Sequence, residues 1–134
     1  DLAQATVHLR RALDMDDTVV MAWAHLALIA ALEDRANEAV RLARTAVDLA
    51  PQSHFCRYVS GRALLSASRP AEAARELSLA IEFGGAQSMD ALYRLGLAAE
   101  QQGDFAAARA AWSALLGVQN DHLAARQALR RVTH

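Results

Sequence analysis

LYRLGLAAEQQGDFAAA, residues 92–108, decides the fold. Apolar residues recur at helical spacing up to Gln101, Gly103 and Asp104 interrupt them, and Phe105 and the alanines restart the same period. The spacing predicts a helix over 89–101, a tight turn, and a second helix over 105–116 closed by Gly117. A helical hairpin of this length buries its apolar faces only by stacking on others.

Working outward from Ala108, the same unit returns. Ala5 and Ala12, Ala39 and Ala46, Ala73 and Ala80, then Ala108 with Leu115 in the second slot, form a ladder of pairs. The first two steps are equal (5 to 39 to 73, 12 to 46 to 80), and the last is longer by one position (73 to 108, 80 to 115). A period of roughly 34 residues reads as a stack of helical hairpins. The extra position of the last step falls near Gly84 to Ser88 and is expected to alter the superhelical pitch locally.

The remaining segments fit that frame. Residues 2–15 place Leu2, Ala5, Leu9, Ala12 and Leu13 on one stripe behind an Asp1 cap, with Arg10 and Arg11 turned to solvent. Asp16, Asp17 and Thr18 supply turn chemistry before a helix over 19–32, which Glu33, Asp34 and Arg35 end. Helices over 36–49 and 54–66 flank Pro51, and Pro70 opens a helix over 70–82 that Gly84 and Gly85 stop. A last helix, 121–132, starts at the cap candidate Asp121, and its Arg130 and Arg131 read as a solvated face.

The fold class is therefore all-α, a solenoid of antiparallel helix pairs with about eight helices. Residues 1–134 make a single domain: 2–17 the second helix of an incomplete repeat, 20–53, 54–88 and 89–120 the full repeats, and 121–134 a C-terminal capping helix.

Composition excludes several functions. Fourteen arginines face 15 acids for a formal charge of −1, without the basic excess of a general nucleic-acid binder. The absence of lysine beside abundant alanine and arginine fits a GC-rich, bacterial genome. Cys56 stands alone, so it has no disulfide partner in the chain. Apolar runs such as Val19 to Ala24 are too short to span a membrane. The chain opens at Asp1 without methionine or a signal-like segment, as expected of a processed or excised piece, and either cytoplasm or periplasm suits it.

The unit resembles the tetratricopeptide repeat, whose pattern combines large aromatics, a small residue, alanines and a proline at fixed offsets. Trp23, Leu26, Ala27, Ala39, Ala46 and Pro51 occupy those slots in one unit, and Leu95, Gly96, Gly103, Asp104, Phe105, Ala108 and Trp112 in another. The unit between keeps Gly61, Leu64, Ala73, Leu77 and Ala80 but has Arg57 where a large apolar side chain is usual. Ala27, Gly61 and Gly96 then let the helices of a hairpin approach, and Trp23 and Trp112 are core wedges.

The resemblance implies a right-handed superhelical solenoid in which the first helix of each hairpin lines a concave face that binds peptides. Met21 and His25 would line it in one repeat, Phe55, Tyr58 and Arg62 in the next, and Asp90, Tyr93, Arg94 and Leu97 in the last. Aromatic rings would give contact area, and Arg62 and Arg94 would grip carboxylates. The alternatives are packing between successive first helices for Tyr58 and Tyr93, and ordinary ion pairs with Asp90 or Glu100 for the arginines. The lysine and asparagine clamp of chaperone-binding members has no counterpart, since lysine is absent and Asn37 and Asn120 lie outside the first helices.

Enzyme chemistry is not expected. His54 and Cys56 fall on different faces of a helix, the other histidines are isolated, and the acids do not converge. No cofactor is implied. The expected function is a non-catalytic scaffold for a protein or peptide partner. The alternatives are a self-assembly module pairing through its N-terminal helix, where Leu2, Leu9 and Leu13 lack a hairpin partner, or a regulatory arm of a larger protein.

Overall fold

The computed structural model describes residues 1–84 and 88–133. Among these residues eight helices follow one another: α1 (Leu2–Met15), α2 (Val20–Leu32), α3 (Ala36–Leu49), α4 (His54–Ser66), α5 (Pro70–Phe83), α6 (Ser88–Gln101), α7 (Phe105–Val118) and α8 (Leu123–Val132). Among the described residues there is no strand. The chain is an all-α helical-repeat solenoid. Gly85, one of the two glycines expected to stop α5, and His134 lie outside the described residues; Gly84 caps α5 with φ 77°.

Side chains and turns set the helix ends. The Asp1 carboxylate accepts from the Ala3 N–H at 2.9 Å, and Ser53 accepts from the Cys56 N–H at 3.2 Å. The three hairpin turns share one device. Asp34, Ser68 and Gly103 sit at equivalent positions with φ of 60°, 59° and 76°. The next N–H then reaches back across the helix end: Arg35 to the Ala30 carbonyl, Arg69 to Leu64 and Asp104 to Ala99, at 2.8 to 2.9 Å. Only one of the three turns uses glycine, so the left-handed step is legible in sequence at Gly103 alone.

Two expected ends are corrected. Gly117 lies inside α7, which continues to Val118, because an exposed glycine is tolerated in a helix at modest cost. The cap of α8 is His122, not Asp121: its Nδ1 accepts from the Ala125 N–H at 3.1 Å. An imidazole with one unprotonated nitrogen does the work of a short polar side chain. His122→Ala is expected to lower stability by about 1 kcal/mol, while His122→Asn keeps the cap. Thermal denaturation of the two variants checks this.

Packing follows the ladder. Ala39, Ala43 and Ala46 of α3, Ala73 and Leu77 of α5, and Ala108, Trp112 and Leu115 of α7 are fully buried. The paired positions on the first helices are matched in size. Leu77 lies against Gly61, where a Cβ would come within 2.5 Å of its Cγ, and Trp112 lies against Gly96, where a Cβ would run into the indole. In the α2–α3 hairpin the equivalent slots hold Ala27 and Ala43, both fully buried. Large against glycine, or small against small, fills one and the same gap.

The curvature follows from which helices touch. Successive first helices are in contact, α2 with α4 and α4 with α6, whereas α3, α5 and α7 make no comparable contact with one another. Elements that approach lie on the inside of a bend, so α2, α4 and α6 carry the inner face. The α4–α6 contact is the slighter of the two. It coincides with the longer step of the ladder.

Candidate functional site, the inner face of the first helices

The inner face changes character along the solenoid. At its start the imidazole of His25, exposed on α2, meets the half-buried ring of Phe55 with centroids 5.1 Å apart, and Phe55 meets Tyr58 at 6.4 Å. Met21, one turn before His25, is 47% exposed. Leu28 and Leu65 are half-buried on the same helices. This end is apolar and aromatic.

Farther along, polar groups bridge α4 and α6. The Tyr58 hydroxyl donates to Asp90 Oδ2, Arg94 Nε donates to the same oxygen at 2.7 Å, and Arg62 Nη1 donates to the Tyr58 hydroxyl at 3.1 Å. Arg62 also lies over the Tyr58 ring, 5.8 Å from its centroid. Burial would push the Asp90 carboxyl up, but the hydrogen bonds from Tyr58 and Arg94 and the two guanidiniums outweigh it and hold it below the usual carboxylate range. A depressed carboxylate stabilises the fold at ordinary pH and loses that contribution only as pH falls through its lowered value. Burial and the Asp90 hydrogen bond push the Tyr58 hydroxyl up, which keeps it a proton donor.

Tyr58 is 5% exposed, so it packs between α4 and α6 rather than offering contact area. Tyr93, half-buried, faces the other way along the stack, toward His122 with ring centroids 5.6 Å apart. Its carbonyl accepts from Trp112 Nε1 at 3.0 Å. Leu97 is half-buried in the cluster that contains Trp112. Arg94 is taken by the ion pair with Asp90. Of the residues expected on this face, Phe55, Arg62, Asp90 and Arg94 gather around Tyr58, Met21 and His25 sit beyond them, and Tyr93 and Leu97 turn toward the α7–α8 end.

Several polar contacts escaped the sequence. Arg10, read as solvated, pairs with Glu38 at 3.1 Å. Arg131, also read as solvated, grips Glu100 with two hydrogen bonds of 2.8 Å and lies 5.7 Å from the Trp112 ring centroid. That hydrogen bonding holds the Glu100 carboxyl below its usual range. Trp23 is half-buried, not a core wedge, and its Nε1 donates to the Asp17 carbonyl at 2.6 Å. Arg57, in the slot where a large apolar side chain was expected, bonds the Pro51 carbonyl and Glu76, each at 2.8 Å. Partners on separate helices, such as Arg57 with Glu76 and Arg131 with Glu100, leave no mark in local periodicity.

On the opposite side of α4, a cavity of about 440 Å³ opens between α3 and α5. Arg44, Asp48, Arg57, Ser60, Glu72 and Glu76 give it polar walls of mixed charge. Among the described residues no group of three or more histidine, cysteine or acidic side chains is placed to hold a metal ion, and no helix is long and apolar enough to cross a membrane.

These features define a class: a helical-hairpin repeat scaffold with its first helices on the inside of the bend. No family model and no curated protein matches the sequence. Solved structures do match. The chain superposes on MamA with a TM-score of 0.88 at 22% identity, over 98% of this chain and 77% of MamA. It superposes on PilW, a type IV pilus biogenesis factor, with a TM-score of 0.89 at 26% identity, over 98% of this chain and 61% of PilW. A third match is YrrB, a tetratricopeptide protein with an unusual peptide-binding site, at a TM-score of 0.81 and 18% identity, over 98% of this chain and 67% of YrrB. Fold and residue pattern agree: the chain has the helical-hairpin fold of these tetratricopeptide-type repeat structures.

Proposed function

We propose that the chain is a non-catalytic interaction scaffold that holds an acidic peptide segment against the inner face of α4 and α6. The observation that carries this reading is Arg62. Among the described residues it makes no ion pair; its one hydrogen bond goes to the neutral hydroxyl of Tyr58. Arg94 beside it is already neutralised by Asp90. The cluster of two guanidiniums and one carboxylate therefore carries an unspent positive charge, on a planar fork suited to a carboxylate. Phe55, His25 and Met21 continue the track as apolar surface for neighbouring side chains. The peptide-binding site named for YrrB supports a peptide as the partner class.

The buried Tyr58 hydroxyl of this face is kept protonated and bonded to Asp90, so it braces the site. Selection from a random peptide library displayed on phage tests the proposal. Recovered peptides are expected to carry a carboxylate next to aliphatic or aromatic residues. Arg62→Glu is expected to weaken their binding at least about tenfold, a loss of about 1.4 kcal/mol. Arg62 is half-buried on the surface of α4, so circular dichroism should show the fold unchanged. Binding that is indifferent to the charge at position 62 would place the site elsewhere.

A further inference from the structure

The cavity between α3 and α5 has a smaller relative one repeat earlier. A notch of about 340 Å³ is lined by Arg10, Asp14 and Trp23. One ladder step on, the same positions are Arg44, Asp48 and Arg57, all on the wall of the cavity of about 440 Å³. The scaffold builds the recess in both places, and one side chain sets the main difference. In the notch the Trp23 indole takes the slot, and its Nε1 donates to the Asp17 carbonyl at 2.6 Å. In the cavity the Arg57 Nε donates to the carbonyl of Pro51, the counterpart of Asp17, at 2.8 Å. A guanidinium on a slim stem makes the same bond with less bulk, and part of the slot is left open.

The charges around the cavity are unevenly matched. Arg57 is fixed by the Pro51 bond and by Glu76 at 2.8 Å, and Glu76 also accepts from the buried Ser60 hydroxyl at 3.3 Å. Both oxygens of Glu72 are taken by Arg69, at 2.8 Å each. In the earlier notch Arg10 grips Glu38, the counterpart of Glu72, at 3.1 Å. Arg44 lacks that partner. It acts on Glu72 only as a nearby charge, and among the described residues it makes no ion pair. Asp48, one turn further along α3, makes none among them either, and both side chains are exposed at the mouth. Beneath them Val40, Val47 and Leu64 form a buried apolar floor.

We propose that this cavity binds a free aromatic amino acid as its zwitterion. The ring lies on the apolar floor and stacks on the guanidinium plane of Arg57, which its two hydrogen bonds hold in place. The carboxylate pairs with Arg44 and the ammonium with Asp48. A lone anion would meet Asp48, Glu72 and Glu76 beside Arg44, and a lone cation would meet Arg44 and Arg57. Only a ligand with both charges on adjacent atoms uses both free groups. The volume agrees, since small-molecule sites span about 300–1,000 Å³. A residue inside a polypeptide carries neither of these charges, so the site is separate from the peptide track on the opposite side of α4.

The probe is L-tryptophan, whose indole is the ring that the earlier repeat places in the slot. Three relatives each lack one feature: tryptamine the carboxylate, 3-indolepropionate the ammonium and L-leucine the ring. All four are titrated into the isotope-labelled full chain and followed by amide chemical shifts. Tryptophan is expected to shift α3 around Arg44 and Asp48 and α4 around Arg57, and each relative to bind at least about tenfold more weakly. Arg44→Gln, at an exposed position, is expected to bring tryptophan down to the level of tryptamine. Arg57→Trp copies the indole of the notch and is expected to abolish the response, with helicity retained by circular dichroism. No response to tryptophan, a relative that binds equally well, or tryptophan binding that Arg44→Gln leaves unchanged would overturn the proposal. So would a response that disappears with Arg62→Glu, because the ligand would then sit on the inner face.

Discussion

Gly96→Ala is expected to destabilise the protein by about 2–3 kcal/mol, although alanine in place of glycine inside a helix gains about 1 kcal/mol of propensity. The steric term wins because of what faces the position. A Cβ at Gly96 overlaps the indole of Trp112 at Nε1, Cε2 and Cδ1. The indole cannot retreat: it is fully buried, and Nε1 donates to the Tyr93 carbonyl at 3.0 Å. Moving it away breaks that bond and leaves a buried donor unmatched. Urea denaturation gives the difference directly. Unchanged or increased stability would mean that α6 and α7 are farther apart than the packing described above.

Trp112→Ala is expected to be the most damaging single change, at about 3–5 kcal/mol, from lost burial and the cavity left behind. Trp112 joins three helices: it lies against Gly96 of α6, belongs to α7, and lies beneath the Arg131 guanidinium of α8. The two substitutions are then not additive. Once the indole is gone, a methyl at position 96 fills part of the hole and the pair becomes the Ala27–Ala43 arrangement of the α2–α3 hairpin. The double variant should therefore be more stable than Trp112→Ala alone by about 1 kcal/mol, a coupling that a double-mutant cycle measures. Additive losses would show that the size matching between the helices is incidental.

How much of this was legible in the sequence depended on distance along the chain. The alanine ladder, the prolines and the helical period gave every helix to within about two residues, because each signal is local and repeated. Ends set by unusual chemistry were not legible. His122 caps α8 through an imidazole nitrogen, and Asp34 and Ser68 adopt the left-handed turn that glycine adopts at Gly103. The size matching of Gly61 with Leu77 and of Gly96 with Trp112 is visible only once the hairpin register is known, because each pair reaches across a turn from one helix to the next.

The inner face was legible as a list and not as an arrangement. Helical register put Tyr58, Arg62, Asp90 and Arg94 on one side, but nothing local says that the Tyr58 hydroxyl on α4 reaches across to Asp90 on α6. That bond turns Tyr58 from a contact surface into an internal strut. It also commits Arg94 to Asp90 through their shared carboxylate oxygen and leaves Arg62 as the cation with charge to spare. The slight α4–α6 contact, at the longer step of the ladder, is where this polar cluster stands.

The most direct test of the central claim is amide shift mapping of a selected acidic peptide on the labelled chain. The account predicts that the perturbed signals run along α4 and α6 around Phe55, Arg62 and Arg94, and that they vanish with Arg62→Glu. Shifts centred instead on Arg44, Arg57 and Glu72, in the cavity between α3 and α5, would contradict it.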